Sequence, residues 1–163
     1  MGWRFGQRPV VPQRETGKST ICDAGSPAGG FVEEARVLDH VVIGVADIDR
    51  SRAFYEAALA PLGLSVVLDR PGYIGFGDRR PFFFLADRDV TARAHVAFAA
   101  TDRVRCDLFH EAAIAAGGTD NGEPGPRPKY HEHYYGAFVL DPDGNNIEAV
   151  CHAPGPLPGG RHR

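Results

Sequence analysis

The chain has only three cysteines, Cys22, Cys106 and Cys151, and no two of them form a CxxC pair. An odd, scattered set argues against a disulfide framework, and reduced thiols in a cytoplasmic protein are the expectation that follows. Long apolar runs are also missing: no stretch approaches the ~20 apolar residues that span a bilayer. Residues 1–36 lack the unbroken apolar core of a secretory signal, being interrupted by Pro9, Pro12, Gly17, Lys18 and Gly25. Basic charge is in deficit, with 18 Lys and Arg against 21 Asp and Glu for a net charge of −3. There is no Lys/Arg stripe, so nucleic acid and anionic membrane are not expected partners.

What is present suffices for a packed core. The chain has 163 residues, 43% of them hydrophobic and 24% charged, which fits one compact domain or two small fused modules. The first 36 residues, rich in Gly, Pro and small polar groups, read as a flexible N-terminal tail, and Pro154 to Arg163 as a basic C-terminal one. The folded unit is expected over 37–153.

Within that unit the chain repeats itself. Asp39-His40-Val41 and the residues up to Asp47 recur 55 positions later as Ala94-His95-Val96 up to Asp102. The offset also matches Arg50 with Arg105, Phe54 with Phe109 and Glu56-Ala57-Ala58 with Glu111-Ala112-Ala113. Each copy begins as a strand (38–45 and 95–99) followed by a helix. Asp47 or Asp49 is placed to cap the first helix, because a carboxylate accepts the free amide hydrogens of the first turn. Apolar spacing puts Ala53, Phe54, Ala57 and Ala58 on the buried face of the first helix and Leu108, Phe109, Ala112 and Ala113 on that of the second. Gly63 ends one, and Gly117 or Gly118 the other. Strands over 64–69, 73–77 and 82–85 complete the first copy. The second is expected to continue through a long loop, Asn121–Glu132, to strands 135–140 and 146–151 around the turn Asp141-Pro142-Asp143-Gly144. The class is therefore α+β, two βαβββ modules over about 37–88 and 93–153, whose strands form curved mixed sheet around a cleft.

Strand alternation puts His40, Val42 and Gly44 on one face and Val41, Ile43 and Val45 on the other, with His95, Ala97 and Ala99 opposing Val96 and Phe98 in the repeat. The bulkier faces belong under the helices, leaving the histidines on the open side. With Glu148 of the last strand they make a plausible set of two histidines and one carboxylate. Such a set suits Fe(II), Mn, Zn, Ni or Co and leaves coordination positions open for water and substrate.

Leu38-Asp39-His40-Val41, Ser51-Arg52-Ala53-Phe54-Tyr55, Ala94-His95-Val96 and the run from Phe138 through Asp141-Pro142-Asp143-Gly144-Asn145-Asn146-Ile147 to Glu148 resemble the vicinal oxygen chelate superfamily. That superfamily includes glyoxalase I, extradiol dioxygenases and bleomycin-resistance proteins. The resemblance spans about 37–152 and implies paired modules around a divalent metal, a small-molecule substrate bound through adjacent oxygens, and often a homodimer. It implies His40, His95 and Glu148 as ligands. The remaining ligand position of the family falls within Phe82-Phe83-Phe84-Leu85, which offers none. This departs from four-ligand glyoxalase I and agrees with the three-ligand, Fe(II)- or Mn-dependent dioxygenases. The acid–base His and Tyr that those enzymes use point to the cluster 130–135, with His133 and Tyr135 as candidate catalytic residues. Tyr130 and Phe83 are candidate substrate contacts. The alternative is a binding protein that sequesters a drug or metabolite in an apolar cleft.

Overall fold

The computed structural model describes residues 38–154, so the tails expected at 1–36 and beyond Pro154 lie outside the described residues. The first module runs β1 (Val41–Val45), α1 (Ile48–Leu59), a 3₁₀ turn (Ala60–Leu62), β2 (Ser65–Arg70), β3 (Tyr73–Gly77) and β4 (Pro81–Asp87). The second runs β5 (His95–Ala99), α2 (Arg103–Ala115), β6 (Thr119–Pro126), β7 (Tyr135–Leu140) and β8 (Asn146–Cys151). Both have the βαβββ order read from the repeat. Each closes as its own four-stranded mixed sheet, β1-β4-β3-β2 and β5-β8-β7-β6, with β1 parallel to β4 and β5 parallel to β8.

The helix starts follow the sequence. Asp47 accepts from the amides of Asp49 and Arg50, and Asp102 accepts from that of Arg105. Gly63 (φ 78°) and Gly117 (φ 94°) turn the chain out of the two helical segments in left-handed backbone that a side chain would strain.

The helices bury somewhat different faces from those expected. In α1 the buried residues are Ser51, Phe54, Tyr55, Ala58 and Leu59, while Ala53 is exposed. In α2 they are Cys106, Phe109 and Ala113, and Leu108 stands in solvent. Two small alanines satisfied the helical period, but the larger Tyr55 gains more by burial and turns the helix accordingly. Phe54, Tyr55, Phe76, Phe83, Phe98 and Phe109 build one core that both modules share.

β6 is a second departure. Six residues of the expected loop, 121–126, belong instead to the strand Thr119–Pro126, so the loop shrinks to 127–134. Pro124 and Pro126 are tolerated because β6 is an edge strand, where an amide facing away from the sheet has no partner to lose. Register shifts between Asp120 and Gly122 and between Gly122 and Gly125 absorb the irregularity.

The turn after β7 ties the modules together. Asp141 Oδ1 accepts from the amides of Asp143 and Asn145, and its Oδ2 accepts from the Tyr55 hydroxyl of α1 at 2.7 Å and from Asn145 Nδ2. Asn145 Oδ1 takes the amide of Ala94 at 2.9 Å, and the Asn146 amide returns to the Ala94 carbonyl at 2.8 Å. Asp143 receives the amide of Ala46 and the guanidinium of Arg50. One turn thereby sets the start of β8 against the start of β5 and both against the end of β1.

Candidate functional site

That clamp positions the two residues on which a site can be built. His95 follows Ala94 directly. On β8, Glu148 lies opposite Ala97 of β5 and opposite Phe138 of β7, so it shares the face of His95, one register step away. The two side chains meet, with His95 Nε2 3.0 Å from Glu148 Oε2. The other carboxylate oxygen accepts from the Tyr134 hydroxyl at 2.5 Å.

Glu148 is 1% exposed. Burying a carboxylate costs several kcal/mol, about the scale of a whole domain's stability, unless it is paired or bound to a metal. An imidazole and a phenol supply only part of that compensation. The Tyr134 phenol is held well above its ordinary value, first by burial and then by its bond to Glu148, so it stays protonated and serves as a fixed donor. Its ring is caged by Tyr130 at 4.8 Å, His152 at 5.2 Å and His131 at 5.4 Å between centroids. His131 Nε2 and His152 Nδ1 are themselves 2.7 Å apart.

The donor pair fits a divalent ion. An imidazole nitrogen and a carboxylate oxygen are donors that divalent ions take, and here they are neighbours, with His95 Nε2 3.0 Å from Glu148 Oε2. Among the described residues, no three His, Cys, Asp or Glu side chains come together as a metal-binding group. His40 is the ligand candidate left out.

His40 has a local environment of its own. Its Nδ1 meets Asp39 Oδ1 at 2.8 Å, and this bond is the foremost cause holding the Asp39 carboxyl below its ordinary value. A carboxylate on Nδ1 fixes the tautomer and leaves the Nε2 lone pair available, the usual support of a metal-binding histidine. The register also identifies what stands in the first module where Glu148 stands in the second. β1 pairs Val42 with Phe84 as β5 pairs Ala97 with Glu148. The Phe84 ring lies 5.8 Å from that of His40, edge to face. A His–Phe contact in one module therefore replaces the His–Glu contact of the other.

His40 and His95 open onto different cavities. His40 borders a cavity of about 530 Å³ whose walls include Leu38, Leu62, Leu64, Phe82 and Phe98. His95 borders one of about 380 Å³ with Arg127, Lys129, Tyr130 and Phe138.

Of the other expected site residues, Tyr130 lies at that second cavity and against Tyr134. Tyr135 is turned to the opposite face, where its hydroxyl donates to Asp107 at 2.7 Å and the Arg103 guanidinium sits 5.1 Å over its ring. Burial, and then the Asp107 bond, push its phenol up to about 12. His133 is half-buried and anchors the loop by donating its amide to His131 Nδ1. Phe83 belongs to the core, ringed by Tyr55, Phe76 and Phe98, and borders the first cavity. Reasoning from sequence missed Tyr134. Its signal is parity: Phe138 opposes Glu148, so Gly136 and then Tyr134 continue on that side while Tyr135 cannot.

Comparison with known proteins agrees with this architecture. The sequence model of the Glyoxalase/Bleomycin resistance protein/Dioxygenase superfamily matches residues 37–149. A crystal structure of a glyoxalase/bleomycin resistance protein from Albidiferax ferrireducens T118 is 33% identical, covers 71% of this chain and 99% of its own, and has a TM-score of 0.64. A glyoxalase I mutant from Zea mays is 27% identical over 69% of this chain and 46% of its own, with a TM-score of 0.52. A lactoylglutathione lyase from Agrobacterium tumefaciens, 21% identical over 73% of this chain and 95% of its own, shares the fold with a TM-score of 0.55. No curated protein matches the chain.

Proposed function

The chain belongs to the Glyoxalase/Bleomycin resistance protein/Dioxygenase superfamily, and from that premise we propose that it is a small metal-dependent enzyme acting on a substrate with two adjacent oxygens. The observation that carries this reading is the buried Glu148 carboxylate held 3.0 Å from His95, a costly arrangement that a cation relieves.

His95 and Glu148 would hold the metal, Fe(II) or Mn in the first instance, with Zn, Ni or Co also suited to the donors. The third ligand is His40, supplied by a second copy of the chain in a homodimer. When bound, such an ion would supply Lewis-acid stabilisation of negative charge on the substrate's adjacent oxygens. Tyr134 engages one oxygen of Glu148, and the other, which faces His95, would be the one offered to the ion. Asp39 orients His40. Phe84 at the fourth family position favours three-ligand, dioxygenase-like chemistry over that of a standard glyoxalase I. His133 is the proposed acid–base residue. Tyr135 is less suited to that role because its hydroxyl is committed to Asp107.

A second reading is a binding protein without chemistry, favoured by the apolar walls of the 530 Å³ cavity. One experiment separates the two. Protein purified without chelator and offered Fe(II), Mn, Zn, Ni and Co is analysed for metal, then assayed with a catechol panel and a methylglyoxal–thiol adduct. Stoichiometric metal that is lost in His95→Ala and Glu148→Ala, with turnover of one substrate class, is the expected result. Metal-free protein that binds aromatic ligands equally well with and without Glu148 would sink the enzyme.

A further inference from the structure

The cavity beside His95 has two walls of different character. Phe138 and Tyr130 are aromatic, whereas Arg127 and Lys129 bring two positive charges to its rim. The Arg127 guanidinium donates to the carbonyls of Glu123 at 2.6 Å and Pro126 at 3.3 Å, and lies 5.4 Å over the Phe138 ring. Lys129 Nζ lies 4.9 Å over the Tyr130 ring. Carbonyls and ring faces orient a cation without neutralising it. Among the described residues neither cation forms an ion pair with a carboxylate. Asp120 is bound to His110, and Glu148 to His95 and Tyr134.

The loop that carries these charges is tied at both ends. The Arg127 amide donates to the Tyr134 carbonyl at 2.8 Å and the Tyr130 amide to the Arg127 carbonyl at 2.9 Å. Asn121 and Asn146 also border the cavity, with Asn121 Nδ2 donating to Asn146 Oδ1 at 3.0 Å. Two cations without a carboxylate partner among the described residues, bordering one cavity together with an asparagine amide, make a receptor suited to an oxyanion. The cavity also adjoins the residue that would hold the metal.

We propose that this cavity is a subsite for an anionic group, so that the substrate is an aromatic or enolic compound bearing a carboxylate or phosphate beside its two adjacent oxygens. The proposal rests on the metal reading of His95 and Glu148. Arg127 and Lys129 take the anion, Phe138 and Tyr130 flank the carbon skeleton, and the oxygens reach towards His95.

The test uses the full chain, metal-loaded and chelator-treated, under anaerobic conditions. Calorimetry compares 3,4-dihydroxybenzoate with 3,4-dihydroxybenzamide, ligands of the same shape that differ in charge. The acid should bind about tenfold more tightly than the amide, the scale of one charge-assisted contact, and the advantage should shrink as salt screens it. In Lys129→Gln and in Arg127→Gln the advantage should fall to within about twofold, with metal content unchanged. Lys129 is exposed, so its variant keeps the test valid even if losing the Arg127 brace disturbs the loop. Retained metal with equal binding of the two ligands, or an advantage that survives both substitutions, overturns the subsite and leaves the metal reading standing. An acid advantage in protein that takes up none of the offered Fe(II), Mn, Zn, Ni or Co keeps the subsite and overturns the metal reading. Absence of both removes both.

Discussion

Glu148 is the centre of the proposed site: its carboxylate is buried and, among the described residues, meets two side chains, His95 and Tyr134. Tyr134 is the one that sequence reasoning passed over, and its role is open to a clean substitution. Tyr134→Phe keeps the ring in its cage of Tyr130, His131 and His152 while deleting the donor to Glu148. Metal affinity measured by chelator competition should fall about ten- to a hundredfold, as is usual when the support of a metal ligand is removed. Stability should also fall by about 1–3 kcal/mol, because a buried carboxylate loses a donor. An affinity equal to wild type would show that Tyr134 packs beside Glu148 without acting on it.

Among the elements, α1 and the turn 141–145 decide how the modules meet. The Tyr55 phenol is fully buried against Asp141 and is held well above its ordinary value of 10.0, first by burial and then by the Asp141 charge. A group whose folded value exceeds its unfolded value stabilises the fold fully below the unfolded one and loses that contribution as pH rises beyond it. Wild-type stability should therefore decline as pH climbs above about 10. Tyr55→Phe should cost about 1–3 kcal/mol at neutral pH by removing a donor to a buried carboxylate, and should decline less steeply in alkali. Denaturant unfolding at pH 7 and at pH 11 checks both, and parallel alkaline losses in the two proteins would refute the assignment. β6 shows the limit of local reading at this scale. Its Pro and Gly residues carry every loop signal, and only its place at the sheet edge makes them compatible with a strand.

For the whole molecule the central fact is that the repeat builds two sheets rather than bringing its two histidines to one point. His40 and His95 are equivalent in the repeat, one just before β1 and the other at the start of β5, yet they open onto separate cavities. If His40 of one copy completes the His95–Glu148 pair of another, two inactive variants can repair each other. His40→Ala and Glu148→Ala, each metal-poor alone, should regain about a quarter of the wild-type sites when unfolded and refolded together, because half the dimers are mixed and each mixed dimer holds one intact site. Light scattering confirms the dimer, and metal content counts the sites. A mixture that gains nothing over its components would place the third ligand elsewhere.

The repeat, the cap residues, the strand alternation and the closing Asp141–Glu148 run were legible in the sequence because each is a local pattern with a fixed period or turn chemistry. They were enough to determine the βαβββ modules, the open-side placement of both histidines and the family. Register across strands, by contrast, joins residues far apart in the chain. Only the tertiary structure could show that Phe84 stands in the place of Glu148, that Tyr134 and not Tyr135 reaches the carboxylate, and that Arg127 and Lys129 crown the cavity beside His95. The same physics separates His40 from His95. A duplicated strand specifies the face on which a ligand sits, but the packing of one module on the other decides whether two such faces meet.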